Sequence, residues 1–102
     1  MSEQVLRLLG LGVRARSVVV GVAGVRAKLA GGKLVCVVIA SDASARTRDK
    51  VDRPARARGV QVLQGPDANR IGAALGRPPV QAVGVQDRAL ARGLAAACLS
   101  ED

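Results

Sequence analysis

Basic and small residues near the start of the chain have the types and spacing of a phosphate-binding site. Arg14 and Arg16 precede a short β-branched run, and Gly21 follows that run at the predicted start of a helix. Free amides at the start of a helix attract anions, and guanidinium groups donate paired hydrogen bonds to phosphate oxygens. The small residues Ala23 and Gly24 would let a nucleic-acid backbone approach closely. They are equally consistent with tight packing of the helix, so both interpretations stay open.

Residues that could catalyse a reaction or bind a metal are scarce. The sequence contains no His, so a Ser or Cys nucleophile would have no imidazole to activate it. Spacings typical of zinc or calcium ligands are missing. Residues 10–15 match the G-x-G-x-x-A dinucleotide pattern, but they follow a predicted helix and not the strand that the pattern requires. We therefore predict a protein that is not an enzyme and that has no cofactor and no metal.

The positive charge of the chain is large and unevenly distributed. Its net charge is +8, and between Gln4 and Ser41 there is no acid but six basic residues: Arg7, Arg14, Arg16, Arg26, Lys28 and Lys33. A domain this basic attracts polyanions and gains affinity by releasing their counterions. A GC-rich coding sequence, which enriches Arg, Ala, Gly and Val, is the alternative explanation. Because the chain has no Phe, Tyr or Trp, bases of a bound RNA could not stack on aromatic rings.

The cysteines and the N-terminus indicate the compartment. Neither Cys36 nor Cys98 has neighbours at metal-ligand spacing, which is typical of reduced thiols in a cytoplasmic protein. Arg7 interrupts the apolar stretch near the N-terminus, and no segment is long enough to span a bilayer. We expect a cytoplasmic protein with no membrane partner.

The central element of the predicted fold is the segment 34–40. Its seven residues are all apolar and rich in Val and Ile, and Ser41-Asp42 follows them. An uninterrupted apolar run of strand length predicts a strand that is covered on both faces. Asp42 or Ser44 is predicted to cap the helix that comes next.

The remaining segments alternate between helices and strands. Predicted helices are at 3–16, from 21 to the glycines at 31–32, 44–58, 67–75 and 87–98, and further strands are at 17–20, 60–63 and 80–85. Pro54 is expected to break the third helix near Arg53 and to start a second helical turn that ends at Gly59, because proline lacks the amide hydrogen and crowds the preceding turn. The alternation predicts a single α/β domain with a four-stranded sheet.

Four stretches, taken in order, resemble the bacterial YlxQ-like members of the ribosomal L-seven-Ae family. They are LLGLGVRARSVVVG, GGKLVCVVIASDAS, GVQVL and NRIGAALGRPPVQAVGV, and the most specific piece is IASDAS at 39–44. The resemblance runs from about residue 8 to residue 94. It implies a three-layer α/β/α sandwich with a four-stranded mixed sheet, and a single RNA-binding domain over 1–102. It also implies binding of structured RNA, typically a kink-turn with tandem sheared G·A pairs.

The residues that read the G·A pairs in kink-turn binders are an Asn, a Glu and a Lys after the glycine that starts the second helix. The matching positions here are Ala23, Gly24 and Ala27, whose side chains neither donate nor accept hydrogen bonds. Lys28 could supply a phosphate contact instead. The family's second contact loop matches 76–80, where Arg77 offers a cation. We therefore expect phosphate positioning without reading of base edges.

The resulting hypothesis is a non-enzymatic protein that binds structured RNA, with ribosomal RNA as the expected partner, through phosphates and shape. The residues assigned to this site are Arg14, Arg16, Gly21, Ala23, Gly24, Lys28 and Arg77. One alternative is a protein-interaction module that has lost RNA binding, with ribosome-associated proteins as candidate partners. Another is an RNA-recognition domain related to those of RNA-modifying enzymes, by analogy of fold alone.

Overall fold

The computed structural model describes residues 3–99, so residues 1–2 and 100–102 of the predicted domain lie outside it. The helices are α1 (Glu3–Arg14), α2 (Val22–Ala30), α3 (Ala45–Thr47), α4 (Arg53–Ala57), α5 (Ala68–Leu75) and α6 (Arg88–Leu99). A π-helical turn, Arg48–Asp52, joins α3 to α4. The strands are β1 (Val18–Val20), β2 (Cys36–Ile39), β3 (Gln61–Gln64) and β4 (Ala82–Val85).

The strands form one mixed sheet in the order β1-β4-β2-β3. β2 and β3 are parallel, whereas β4 is antiparallel to both β1 and β2. The carboxyl ends of β1, β2 and β3 therefore lie beside the amino end of β4. We call this side of the sheet the Gly21 edge, because Gly21 directly follows β1, and we call the opposite side the Arg16 edge.

Helices cover both faces of the sheet, which confirms the predicted α/β/α sandwich. All four residues of β2 are buried, and they alternate between two apolar cores. On one face, Cys36 and Val38 pack with residues of α1, α5 and α6 (Val5, Leu9, Ile71 and Leu94). On the other face, Val37 and Ile39 pack with residues of α2, the π turn and α4 (Val25, Leu29, Val51 and Ala55). This double coverage explains why no polar residue interrupts the segment.

Several predicted boundaries differ from the structure by one or two residues, and those of the central strand and the first helix have a clear physical reason. The central strand was expected over 34–40, but its ladder covers only Cys36–Ile39. The residues on either side of the ladder still form hydrogen bonds with β4 and the residue before it. The Val35 amide donates to the Val85 carbonyl, and the Ala40 amide donates to the Gln81 carbonyl (both 2.9 Å). The first helix ends at Arg14 and not at residue 16, because Arg16 adopts a left-handed conformation with φ of 58°.

The third helix changes type before Arg53 and does not break there, and the second helical turn expected from Pro54 to Gly59 is present as α4. The chain passes through a π-helical turn instead, in which the Arg53 amide donates to the Arg48 carbonyl five residues earlier. Pro54 then lies in the first turn of α4, a position at which proline is tolerated because its fixed φ suits a helix. The wider π turn thus lets one helical segment continue through a proline.

Within residues 3–99, no helix is both long enough and apolar enough to cross a membrane. Over the same residues, no group of three or more His, Cys, Asp or Glu side chains is placed to hold a metal ion.

Candidate nucleic-acid interface

The start of α2 presents uncapped amides at the Gly21 edge. Gly21 has φ 100° and ψ 155°, a conformation that is essentially restricted to glycine. Its amide donates to the Ala82 carbonyl at 2.9 Å, and its own carbonyl accepts from the Val25 amide at 3.0 Å. The amides between Gly21 and Val25 precede this first helical bond, and Gly21 has no side chain to cap them. The first turn contains no acid, so the positive end of the helix dipole is not compensated there.

Ala23 and Gly24 have different roles in this turn. Ala23 is exposed and would leave room for a ligand at the amides. Gly24 faces inward, and a Cβ at this position would lie 2.6 Å from Cγ1 of Val19. The absence of a side chain at Gly24 therefore lets α2 pack against β1, and only Ala23 leaves an open approach.

The loop from Gly76 to Gln81 borders the same edge. Gly76 ends α5 in a left-handed conformation with φ of 69°, and the Arg77 amide donates to the Gly72 carbonyl at 2.8 Å. The loop then folds back along α5, where the Val80 amide donates to the Ala68 carbonyl at 3.0 Å. A Cβ at Gly72 would collide with the backbone of Pro78, so this close return requires a glycine. The exposed side chain of Arg77 is thereby held after the C-terminal end of α5, on a loop that returns to the Gly21 edge where Ala82 begins β4.

The segment 40–44 connects the loops of this edge. Ser44 caps α3, since its Oγ accepts from the Thr47 amide at 3.1 Å. Asp42 instead caps a different helix, because its Oδ1 accepts from the Ala68 amide at 2.9 Å. The Ser44 amide donates to Oε1 of Gln81 at 3.0 Å. These bonds link the loops before α3, α5 and β4, so the polar residues of IASDAS hold the edge together.

Arg48 is a cation at this edge that sequence reasoning missed. Its guanidinium group donates to the carbonyl oxygens of Ala40 (3.3 Å) and Ser41 (3.1 Å), and to Oε1 of Gln64 (3.3 Å). It therefore spans the carboxyl ends of β2 and β3. The one available signal was its position four residues after the Ser44 cap.

The expectation that Arg14 and Arg16 lie beside the Gly21 turn is wrong. Both residues precede β1 at the Arg16 edge, where the Ser17 carbonyl accepts from the Gln86 amide at 2.9 Å. Five residues at extended spacing place Arg16 about 16 Å from Gly21 along the chain. The reason is that the extended strand β1 lies between them, and a strand places its start and its end at opposite edges of the sheet.

Lys28 is also distant from the Gly21 turn. It lies in the last turn of α2, about 10 Å along the helix axis from Gly21 at the usual rise per residue. Its carbonyl accepts from the Lys33 amide at 3.0 Å in the turn that leads to β2. The structure therefore brings together Gly21, Ala23 and the C-terminal end of the 76–81 loop, and it leaves Arg14, Arg16 and Lys28 outside that group.

Cys36 does not provide a reactive thiolate. It is fully buried in β2, and burial, followed by the charge of Cys98, raises the pKa of the Cys36 thiol to about 12. The thiol is therefore protonated at neutral pH and behaves as a small apolar core residue.

The fold and the Gly21 edge together define a small α/β binding domain whose candidate ligand site is built from backbone amides and loops. The chain belongs to the ribosomal protein L7Ae/L30e/S12e/Gadd45 family, whose sequence profile matches residues 3–95.

The solved structures that are similar to this chain include two that are described by the following matches. A protein of unknown function from Bacillus halodurans C is 31% identical with a TM-score of 0.82, and the match covers 89% of this chain and 92% of that one. The Giardia lamblia 15.5kD RNA binding protein is 21% identical with a TM-score of 0.77, over 93% of this chain and 82% of that one. Among curated protein sequences, none is significantly similar to this chain.

Proposed function

We propose that this protein binds structured RNA through phosphates and shape at the Gly21 edge, without catalysing a reaction. The observation that carries the proposal is the uncapped start of α2, which exposes amides beside Ala23 and has no acid in its first turn. Membership of the L7Ae/L30e/S12e/Gadd45 family supports it, as does the shared fold with an RNA-binding protein from Giardia lamblia.

The mode of binding follows from which side chains reach the edge. Ala23 and Ala27 are exposed but have no hydrogen-bonding group, and Gly24 is occupied with packing on β1. An RNA at this edge would therefore meet backbone amides and the Arg77 guanidinium group, which contact phosphates, and few groups that distinguish bases. We propose Gly21, Ala23 and Arg77 as the direct contacts.

The remaining predicted residues would act at longer range. Arg14, Arg16 and Lys28 are exposed but lie about a Debye length or more from the Gly21 turn, and that length is about 8 Å at physiological salt. We propose that they raise the general attraction of the protein for RNA and do not set its position. Within this proposal the protein is a YlxQ-like bacterial member of the family that acts on ribosomal RNA in the cytoplasm.

A binding titration at several salt concentrations tests the proposal with three RNAs: a kink-turn, a plain duplex of the same length, and a ribosomal RNA fragment. We expect a steep dependence on salt and similar affinities for all three RNAs. A marked preference for the kink-turn over the plain duplex would refute binding without base reading. Absence of measurable binding to every RNA, with lysate partners that survive RNase treatment, would favour the protein-interaction alternative.

A further inference from the structure

A basic groove lies between α2 and the helical segment formed by the π turn and α4. It has a volume of about 190 Å³ and is lined by Arg26, Leu29, Ala30, Lys50, Pro54 and Arg58. Three of these six residues are cations, and none is an acid. We call it the α2–α4 groove. None of its residues was assigned to a site from the sequence.

The acids of the same helical segment are paired on its other face. Asp49 lies 3.6 Å from Nη2 of Arg53, and Asp52 accepts a hydrogen bond from Nε of Arg56. Arg48, Asp49, Asp52, Arg53 and Arg56 line a separate surface depression. On one face of the segment, acids therefore compensate the basic side chains. On the face that lines the groove, the basic side chains have no acid beside them. Within residues 3–99, Arg26, Lys50 and Arg58 take part in no ion pair.

The walls of the groove are held by the apolar core beneath them. Val25 and Leu29 of α2 pack in the same cluster as Val51 and Ala55 of the opposite segment, and all four side chains are buried. The spacing of four residues between Lys50, Pro54 and Arg58 places these three side chains along one stripe. The cations therefore project from helices whose separation is fixed by the buried core. Repulsion among the cations cannot be relieved by moving these helices apart.

We propose that the α2–α4 groove binds phosphate groups of the RNA backbone, as a second contact separate from the Gly21 edge. This inference rests on the proposed function. Guanidinium groups at Arg26 and Arg58 suit bidentate contact with phosphate oxygens, and Lys50 adds a point charge. No lining side chain accepts hydrogen bonds, so the groove offers little to base edges, which present donors as well as acceptors.

The position of the groove favours a long polyanion over a small free anion. Arg26 lies five residues beyond Gly21, about 7.5 Å along the axis of α2. Both walls run from the Gly21 edge towards the Arg16 edge, so an RNA strand that leaves the Gly21 turn along α2 would enter the groove next. One RNA strand would then contact both the Gly21 edge and the α2–α4 groove.

Two double variants on the same helical segment test this proposal. Lys50→Gln/Arg58→Gln removes two cations from the groove, and Arg53→Gln/Arg56→Gln removes two from the compensated face, so the net charge changes equally. For duplex RNA we expect the groove variant to bind about tenfold or more weakly. Its salt slope should fall by nearly two, at about 0.9 per phosphate contact as for duplex DNA. The matched control should stay within about threefold of the wild type. Equal effects of the two variants would overturn the proposal.

A titration with inorganic pyrophosphate, followed by NMR, examines the groove without RNA. We expect saturable shifts of the backbone amides around Arg26, Lys50 and Arg58 in the wild type, and none in the groove variant. Absence of those shifts would overturn the groove as an anion site. Shifts combined with unchanged RNA affinity of the groove variant would identify a site for free phosphates and refute the RNA contact. Failure of the wild type to bind any RNA would refute the proposed function, and the pyrophosphate result alone would then decide whether the groove binds anions.

Discussion

Introducing a carboxylate at Ala23 separates RNA binding from folding. Ala23 is exposed in the first turn of α2, which has no acid of its own. In Ala23→Glu the new charge would lie beside the amides that we assign to phosphate contact. An acid in the first turn of a helix stabilises it by about 0.3–1 kcal/mol. The substitution should therefore leave the melting temperature unchanged or raise it by a few degrees, since 1 kcal/mol corresponds to about 4–8 °C for a domain of this size.

The expected effect on binding has the opposite sign. Two like charges about 4 Å apart repel by about 1 kcal/mol in bulk water and about 4 kcal/mol near a protein surface. For an exposed position we take about 1–2 kcal/mol, which weakens RNA binding by about 5- to 30-fold. Loss of one phosphate contact would also lower the salt slope by about 0.9. Fluorescence anisotropy with labelled duplex RNA at several salt concentrations measures both quantities.

Ala89→Glu is the matched control for this substitution. Ala89 is exposed in the first turn of α6, and that helix begins after β4 at the Arg16 edge. The two variants carry the same charge change at equivalent positions of two helices. If both weaken RNA binding equally, or if neither does, then the start of α2 is not the phosphate site and the reasoning is refuted.

Two further predictions concern the core. Gly24→Ala should destabilise the fold by about 1–3 kcal/mol through overpacking, because its Cβ would meet Cγ1 of Val19. Val19→Ala in the same chain should recover much of that loss in urea unfolding, and a Gly24→Ala protein as stable as the wild type would contradict the packing role. Burial raises the pKa of the Cys36 thiol to about 12 from an ordinary 9.0, so the unfolded chain loses this proton at lower pH than the folded one. Stability should therefore fall as pH rises between about 9 and 12, and more steeply than in Cys36→Ala. Parallel pH profiles of the two proteins would exclude that linkage.

Much of the fold could be predicted because burial on both faces of a sheet leaves a continuous apolar run. The segment around Val37 has that pattern, and it forms the central strand between two helical layers. Glycines and caps then marked most helix ends, as at Gly31 and Gly76. The helical turn that starts near Pro54 was predicted, but the π turn before it was not, because local propensity shows that proline disturbs a helix and does not show how the preceding turn accommodates it.

The candidate site was predicted less completely. The uncapped turn at Gly21 could be recognised, since it depends on residues that are adjacent in sequence. The partners of that turn could not be recognised, because they come from distant parts of the chain. The Ala82 carbonyl accepts from the Gly21 amide, and Asp42 caps α5 beside the neighbouring loops. Pairing of acids with Arg53 and Arg56, which leaves Lys50 and Arg58 uncompensated, likewise depends on which face of the segment meets α2.

The sequence by itself determined the order of elements, the buried strand, the excess of positive charge and the absence of His, because composition and local periodicity specify these. Only the tertiary structure decided where the positive charge lies. The strand β1 lies between Arg16 and Gly21 and therefore places them at opposite edges of the sheet. The packing of α2 beside the π turn and α4 brings Arg26 and Lys50 into one groove. Distances between side chains far apart in sequence are set by strand direction and helix packing, and no local pattern contains them.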